Sequence, residues 1–194
     1  MKTIKRFWMF IAGVLCSCWI ISEFQLPEII LMKNEPVINK GVVYEKVWDV
    51  YDELPSNIKE MLDDESYNIY VMKKPLDVVK GGYITLGRTF FRFGVIQIAN
   101  TDIWVERTTF HEVGHVIDDE SAIYYISSSK EFKDIYQEEK DAFRYVVVDN
   151  YEYFVSSELE YFAQAFSEYM INPEGLKMFT PKTYEFIDRC VKNI

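Results

Sequence analysis

The chain has 194 residues, which is long enough for one domain with a sizeable core. Hydrophobic residues make up 49% of it and aromatic residues 16%, and this composition excludes a disordered protein. The formal net charge of -10 makes nucleic acid or an anionic membrane surface a poor match, so we expect no nucleic-acid partner.

The N-terminal segment, residues 1–21, has the composition of an export signal. Three basic residues precede an uncharged, mostly apolar run at 7–21, namely Lys2, Lys5 and Arg6. This run is shorter than the about 20 apolar residues of a membrane-spanning helix, so it suits a secretory signal better. An uncleaved signal anchor is the main alternative, and lipidation at Cys18 is a further one. A membrane contact is expected only through such an anchor.

Residues 22–40 contain two prolines and no clear period, and we interpret them as a spacer before a single domain at 41–194. Apolar residues at helical spacing predict a first helix over 41–54. They are Val43, Val47, Val50 and Tyr51, with Leu54 one turn further on. A second, shorter helix over 54–64 should bury Ile58, Met61 and Leu62.

Three strand candidates follow, at 67–73, 81–93 and 94–100, because these segments are rich in aromatic and β-branched residues. The last two are separated near Gly94. The next segment, 104–118, again has helical spacing.

Helical patterns fill the rest of the chain, where serine or threonine marks several helix starts. Ser129 is a predicted N-cap, a serine also begins the strong helix at 157–170, and Thr180 with Pro181 begins the last helix. The predicted order is therefore helices, a small sheet and helices again, which makes the fold class α+β.

The helix at 104–118 contains both histidines of the chain, in an H-E-x-x-H motif. Because a helix has 3.6 residues per turn, His111 and His115 face the same way. Two imidazoles at this spacing can bind one zinc ion. Glu112 lies beside the first ligand and can reach a zinc-bound water as a general base.

A motif this short can also arise by chance on an ordinary amphipathic helix. That interpretation is less plausible here, because the chain is short and both of its histidines lie in the motif. Gly114 costs the helix about 1 kcal/mol relative to alanine. We therefore expect a neighbouring element to pack closely against it.

The third zinc ligand cannot be a histidine, so carboxylates on the 157–170 helix are the candidates. They are Glu158, Glu160 and Glu168. Glu160 shares a polar face with Gln164 and Ser167, whereas Glu158 points to a different face. Spacing alone does not choose among the three.

Three stretches resemble the catalytic domain of anthrax lethal factor and, more loosely, the secreted Pro-Pro endopeptidases: "HEVGHVIDD", "YFVSSELEYFAQAFSEYM" and "PKTYEFIDRCVKNI". The resemblance is good over 110–194 and weaker over 41–109. It implies a zincin-like metalloprotease domain, with a small sheet, the HExxH helix and C-terminal helices. It also implies a Zn²⁺-dependent endopeptidase that cleaves a protein or peptide substrate through a zinc-activated water.

Carried over by position, the resemblance implies three zinc ligands, at His111, His115 and Glu160. It makes Glu112 the general base, and Tyr153 matches a tyrosine that faces the substrate carbonyl. A phenol there could donate a hydrogen bond to the developing oxyanion.

The resemblance extends to two further positions. Gln164 stands where lethal factor has glutamate, at a position that supports a zinc ligand from behind, and it can still accept from an imidazole N–H. Asp118 matches an acid that follows the motif in the family, and it could orient a ligand or cap the helix.

We expect a monomer that is secreted or attached to the outer face of a bacterial cell membrane. In zincins an extended substrate pairs with the edge strand of the sheet, so the segment near 81–87 or the one at 94–100 should supply that edge. The alternative function is a non-catalytic zinc-binding interaction or inhibitory module that retains the lethal factor-like fold. Glu112 favours the enzyme, because it binds no metal and is needed only for chemistry.

Overall fold

The computed structural model describes residues 40–73, 76, 85–102, 104–119 and 125–194. The predicted signal segment, 1–21, and residues 22–39 of the predicted spacer lie outside these residues. Everything described belongs to one unit of the chain, Pro36–Ile194. None of the described helices is long and apolar enough to cross a membrane.

Along the chain, helices precede and follow a small sheet, as the sequence predicts. The described part opens with α1, Val42–Glu53, and α2, Ser56–Asp64. The strands are β1, Asn68–Met72; β2, Gly87–Phe90; and β3, Val95–Ala99. The motif helix is α3, Val105–Asp119. The later helices are α4, Lys130–Glu139; α5, Tyr151–Phe154; α6, Glu158–Ile171; α7, Pro173–Phe179; and α8, Pro181–Lys192.

The inner face predicted for the second helix is confirmed, and so are the three valines predicted for the first, whereas Tyr51 is only partly buried. The buried residues of α1 include Val43, Val47 and Val50, and those of α2 are Ile58, Met61 and Leu62. They join one hydrophobic core with apolar residues of α3 and α6. The core surrounds the motif helix, which is buried along nearly all of its length after Thr109.

Within the described residues, the sheet has the order β1-β3-β2. β1 pairs with β3 in parallel, and β2 pairs with β3 in antiparallel orientation. The central strand is therefore β3, and of the two segments proposed for the sheet edge, 94–100 is excluded. Four consecutive residues of β3, Ile96–Ala99, are buried, because a central strand is covered on both faces. β2, from the other candidate segment, is an edge of the described sheet.

The strand predicted over 81–93 is shorter than expected within the described residues. Its extended part ends at Phe90, and Phe91–Phe93 form a 3-10 turn. Gly94 closes this turn at φ 60, in the left-handed region that glycine adopts without strain. The turn reverses the chain between β2 and β3, so the aromatic run "FFRF" is divided between a strand and a turn.

The two predicted serine N-caps are confirmed. Ser129 accepts a hydrogen bond from the Phe132 N–H at the start of α4. Ser157 accepts one from the Glu160 N–H at the start of α6. The second cap fixes the first turn of α6, which carries Glu160 itself.

The last helix begins where the sequence predicts, with Thr180 at the N-cap position, but the Thr180 side chain forms no capping hydrogen bond. The Thr180 hydroxyl donates to the carbonyl oxygen of Leu176 in the preceding helix. The free N–H groups of Lys182 and Thr183 instead donate to the carboxylate of Glu139, at the end of α4. A carboxylate suits a helix N-terminus better than a hydroxyl does, because it also meets the positive end of the helix dipole.

Close packing between α3 and α6 explains the glycine inside the motif. A Cβ atom built on Gly114 would lie 2.8 Å from the carbonyl oxygen of Ala163 and 2.9 Å from its Cα. Both atoms belong to the backbone of α6, so no side chain can move aside. The expectation that a neighbouring element approaches Gly114 closely is therefore confirmed.

We predict that Gly114→Ala destabilises the protein, because the added methyl forces α3 and α6 apart. Overpacking of a core typically costs about 1–3 kcal/mol, which exceeds the gain of about 1 kcal/mol in helix propensity. Urea unfolding at 25 °C measures the difference. Lys133→Ala, at an exposed position of α4, is the control and should change stability little. A Gly114→Ala protein as stable as the parent would contradict the close contact.

Candidate metal centre and catalytic cleft

Two helices bring His111, His115 and Glu160 together. The histidines lie one turn apart on α3, with ring centroids 4.7 Å from each other. Glu160 Oε2, on α6, lies 3.2 Å from His111 Nε2 and 3.7 Å from His115 Nε2. The ligand atoms of the three residues all lie within 4.8 Å of one another.

This arrangement fits a metal ion in both chemistry and spacing. Two imidazole nitrogens and one carboxylate oxygen are a donor set that zinc takes in catalytic sites. Ligands at about 2.0–2.1 Å in a tetrahedral arrangement lie roughly 3.3 Å apart, close to the two distances from Glu160. The three residues could therefore hold one metal ion, with further coordination positions directed away from them.

The electrostatics of the three residues also favour a cation. Burial alone lowers the pKa of His111, but the hydrogen bond and charge of Glu160 raise it above its ordinary value. Burial raises the pKa of Glu160, and its contacts with both histidines outweigh this and bring that pKa below its ordinary value. An ionised carboxylate thus faces two imidazoles in a largely buried place, where charges interact strongly.

The other two carboxylates proposed as third ligands lie elsewhere. Glu168 is fully buried and pairs with Arg107. Glu158 is outside the group of His, Cys, Asp and Glu side chains that could hold a metal among the described residues. Only Glu160 of the three stands beside both histidines.

Gln164 lies directly behind His111. Its Oε1 is 3.0 Å from His111 Nδ1, the nitrogen on the far side of the ring from Glu160. This is the supporting position that the resemblance to lethal factor implied. The amide therefore contacts a candidate metal ligand while lying outside the candidate metal site.

Asp118 has neither of the two roles expected from the sequence. Its carboxylate accepts hydrogen bonds from the N–H of Ser127, at 2.6 Å, and from the Ser127 hydroxyl, at 2.7 Å. Burial raises the pKa of Asp118 to about 6. Asp118 thus ties the end of α3 to the 3-10 turn Ile126–Ser128.

Glu112 is buried and held against the edge strand β2. Thr89 Oγ1 donates to Glu112 Oε2 at 2.7 Å. A Cβ atom on Gly87 would clash with the Glu112 carboxylate, so the glycine leaves room for that carboxylate in its present position. Sequence reasoning missed both contacts, although Gly87 and Thr89 lie two residues apart and therefore share one face of the strand.

Tyr153 lies on α5, and its hydroxyl faces the candidate metal ligands. Burial raises the pKa of Tyr153, and the charge of Glu160 and a hydrogen bond with it raise this pKa further. The phenol therefore stays protonated at neutral pH and can donate a hydrogen bond. The neighbouring Phe154 ring lies 5.7 Å from the His111 ring, centroid to centroid.

These side chains border a cleft of about 230 Å³. His111, Glu112 and Tyr153 lie on its wall, together with Trp104 and Arg107 from the start of α3. Residues 85–87, which lead into β2, form another side, and residues 148–150 form a third. The cleft thus extends from His111, one of the candidate metal ligands, to the edge of the described sheet.

Comparison with known proteins agrees with this geometry. Residues 96–190, just under half of the chain, match the family model described as anthrax toxin lethal factor, N- and C-terminal domain. Over this segment the chain is similar to the lethal factor family. The matched segment contains the H-E-x-x-H motif, Tyr153 and Glu160. A search of curated proteins finds no match.

A solved structure shares the fold of this lethal factor-like chain. It is the Pro-Pro endopeptidase PPEP-2 from Paenibacillus alvei, which matches with a TM-score of 0.55 at 18% sequence identity. The match covers 78% of this chain and 94% of that chain. It confirms the predicted α+β, zincin-like fold, and the two findings support a metalloendopeptidase at the level of the family.

We predict that Glu160→Ala lowers the affinity for a divalent metal ion by more than about 100-fold. This loss is larger than the roughly 10- to 100-fold loss that follows removal of a residue that only supports a ligand. Glu158→Ala, two residues away on the same helix, is the matched control and should bind metal as before. Competition with a chromophoric chelator measures both affinities. If Glu158→Ala loses the metal and Glu160→Ala keeps it, the ligand set is wrong.

Proposed function

We propose that the protein is a zinc-dependent metalloendopeptidase that hydrolyses peptide bonds with Glu112 as the general base. The placement of Glu112 carries this proposal. Its carboxylate is buried beside the His-His-Glu group without belonging to it, and Thr89 holds it in place. Burying a carboxylate is costly, and a module that only bound metal would gain nothing from this one.

His111, His115 and Glu160 are the residues that would hold zinc. When bound, a zinc ion supplies a Lewis acid for the peptide carbonyl and lowers the pKa of a water molecule from 15.7 to about 7. The donor set and the spacing of the ligand atoms support this assignment.

The edge strand β2 offers a place for an extended peptide. The Ala99 N–H donates to the Leu86 carbonyl oxygen at 2.7 Å, which sets the hydrogen-bond alternation of the β2–β3 pair. By that alternation, Arg88 directs its backbone groups toward β3, whereas Gly87 and Thr89 direct theirs away from it. A substrate strand would therefore pair with Gly87 and Thr89.

The same two residues contact Glu112, so a peptide paired with β2 would run beside the base. Glu112 would take a proton from the attacking water and deliver it to the leaving amine as the C–N bond breaks. The products are a carboxylate and an amine. Tyr153, with its protonated phenol, would donate a hydrogen bond to the carbonyl oxygen as negative charge develops there.

The proposed partner is an extended protein or peptide segment, and no nucleic acid is expected for so acidic a chain. We also propose a monomer outside the cell, with residues 1–21 as a signal peptide or signal anchor and the catalytic domain at 41–194. The basic residues and the apolar run at the N-terminus support this location.

Export predicts one of three results when the protein is expressed in a bacterial host with its own N-terminus. A cleaved signal gives shortened protein in the culture medium, and an anchor gives full-length protein in the membrane fraction. Lipidation gives protein in the membrane fraction that begins at Cys18. Cell fractionation with N-terminal sequencing separates these results. Full-length protein in the cytosol would contradict the proposed location.

We predict that Glu112→Ala binds zinc as tightly as the parent protein but no longer cleaves a peptide library. Glu112 is not a member of the His-His-Glu group, so its loss removes the proton transfer and leaves all three candidate ligands. Chelator competition measures zinc binding, and mass spectrometry of the library measures cleavage. A parent protein that binds zinc yet cleaves nothing would favour the non-catalytic module instead.

We predict that Tyr153→Phe keeps zinc and lowers turnover by about 10- to 1000-fold, as expected for a lost oxyanion donor. Tyr145→Phe is the matched control, because Tyr145 is exposed and does not line the cleft. Initial rates with a cleaved library peptide measure the effect. Normal turnover in Tyr153→Phe would show that the phenol takes no part in the reaction.

A further inference from the structure

A line of polar contacts continues from His111 into the protein, behind the candidate metal site. Gln164 Oε1 lies 3.0 Å from His111 Nδ1, and Gln164 Nε2 donates to Glu168 Oε1 at 2.8 Å. The same oxygen of Glu168 accepts from the Arg107 guanidinium. Gln164 and Glu168 are both fully buried. The line therefore runs from a candidate metal ligand to a buried ion pair.

A glutamine at position 164 creates an ambiguity that a glutamate there does not. An amide has an accepting end and a donating end, and either could face His111. If the NH₂ faced Nδ1, that nitrogen would have to accept, and the neutral ring would carry its proton on Nε2. A protonated Nε2 cannot bind a metal ion. Metal binding by His111 therefore requires the amide oxygen to face Nδ1.

The buried ion pair removes this ambiguity. An ionised carboxylate only accepts hydrogen bonds, so Glu168 draws the NH₂ of Gln164 toward itself and leaves the amide oxygen for His111. The opposite orientation would place the amide oxygen against a carboxylate oxygen. Arg107 pairs with Glu168 and so favours its ionised form.

Arg107 is itself held in position. Its guanidinium lies 5.5 Å from the centroid of the Trp104 ring, and its carbonyl oxygen accepts from the Ser167 hydroxyl at 3.0 Å. The ion pair is thus anchored to both α3 and α6, the two helices that carry the candidate metal ligands.

We propose that Glu168 is a positioning residue for the metal site, which fixes the amide of Gln164 with its oxygen toward His111 and so keeps His111 Nε2 free for the metal. This inference rests on the proposed role of His111 as a zinc ligand. It also accounts for the departure at position 164. The negative charge that lethal factor has there stands one helical turn further along, at Glu168, and reaches the histidine through an amide.

The test is a set of zinc dissociation constants measured by chelator competition at pH 8. Glu168→Met removes the acceptor with little change in volume, and Gln164→Leu removes the amide. Each should weaken zinc binding about 10- to 100-fold, the range for residues that support a metal ligand. Because Glu168 acts through Gln164, the double variant should bind no more weakly than Gln164→Leu alone. Glu158→Gln is the control and should bind zinc as the parent does.

An exchanged variant tests the same inference from the other side. Gln164→Glu combined with Glu168→Gln restores a carboxylate behind His111, with an amide that can donate to it and accept from Arg107. Its zinc dissociation constant should lie within roughly threefold of the parent's. This change is far smaller than the loss expected when a supporting residue is removed. It also decides the question if Glu168→Met does not fold.

The outcomes separate this inference from the proposed function. A parent protein that binds no zinc overturns the proposed function. A parent that binds zinc, with Glu168→Met binding equally well, overturns the role of Glu168 alone. Losses that add in the double variant also overturn it, as does an exchanged variant that binds weakly or does not fold.

Discussion

The contact between Gly114 and the backbone of Ala163 is the constraint on which the rest of the site depends. α3 supplies both histidines and Glu112, whereas α6 supplies Glu160, Gln164 and Glu168. A carboxylate can approach two imidazoles on another helix only if the helix backbones are close. The missing Cβ at position 114 allows that approach, since any side chain there would meet main-chain atoms. The glycine lowers helix propensity, and the packing that it permits offsets this cost.

Close packing of these helices buries several carboxylates, and each has a different partner. Glu112 accepts from Thr89, Glu160 faces two histidines, Glu168 pairs with Arg107, and Asp118 accepts from Ser127. A buried charge without a partner is strongly destabilising. The four acids therefore differ in the role that their partners allow. Glu112 lines the cleft and Glu160 faces the two histidines, whereas Glu168 and Asp118 form contacts outside the candidate metal site.

Local patterns in the sequence predicted much of this fold. Helical spacing identified the inner faces of α1 and α2, and serine caps identified the starts of α4 and α6, because these features depend on a few neighbouring residues. The failures involve distant partners. At the start of α8, the capping hydrogen bonds come from Glu139 on another helix and not from the Thr180 side chain. β3 is the central strand because β1 and β2 both pair with it. Neither of these contacts can be predicted from the sequence of the segment alone.

In the candidate site, too, contacts within one helix could be predicted from the sequence, and contacts between distant elements could not. Spacing on one helix was enough to pair His111 with His115, but choosing Glu160 over Glu158 required the orientation of a second helix, which only the resemblance to lethal factor supplied. Thr89 and Gly87 were missed because their significance depends on β2 lying against α3. A glycine and a threonine two residues apart in a short strand are ordinary until a carboxylate is known to lie beside them.

In the proposed mechanism, strand β2 contributes both to substrate binding and to the position of the general base, Glu112. In an antiparallel edge strand, alternate residues direct their backbone groups outward, and their side chains share one face. Here the residues with outward backbone groups are Gly87 and Thr89, and their shared face is the one against Glu112. A peptide bound to the edge would therefore be aligned by the same two residues that position the base. A shift of one residue in the β2–β3 register would move the free backbone groups and the contacts with Glu112 together, so binding and catalysis would be lost as one.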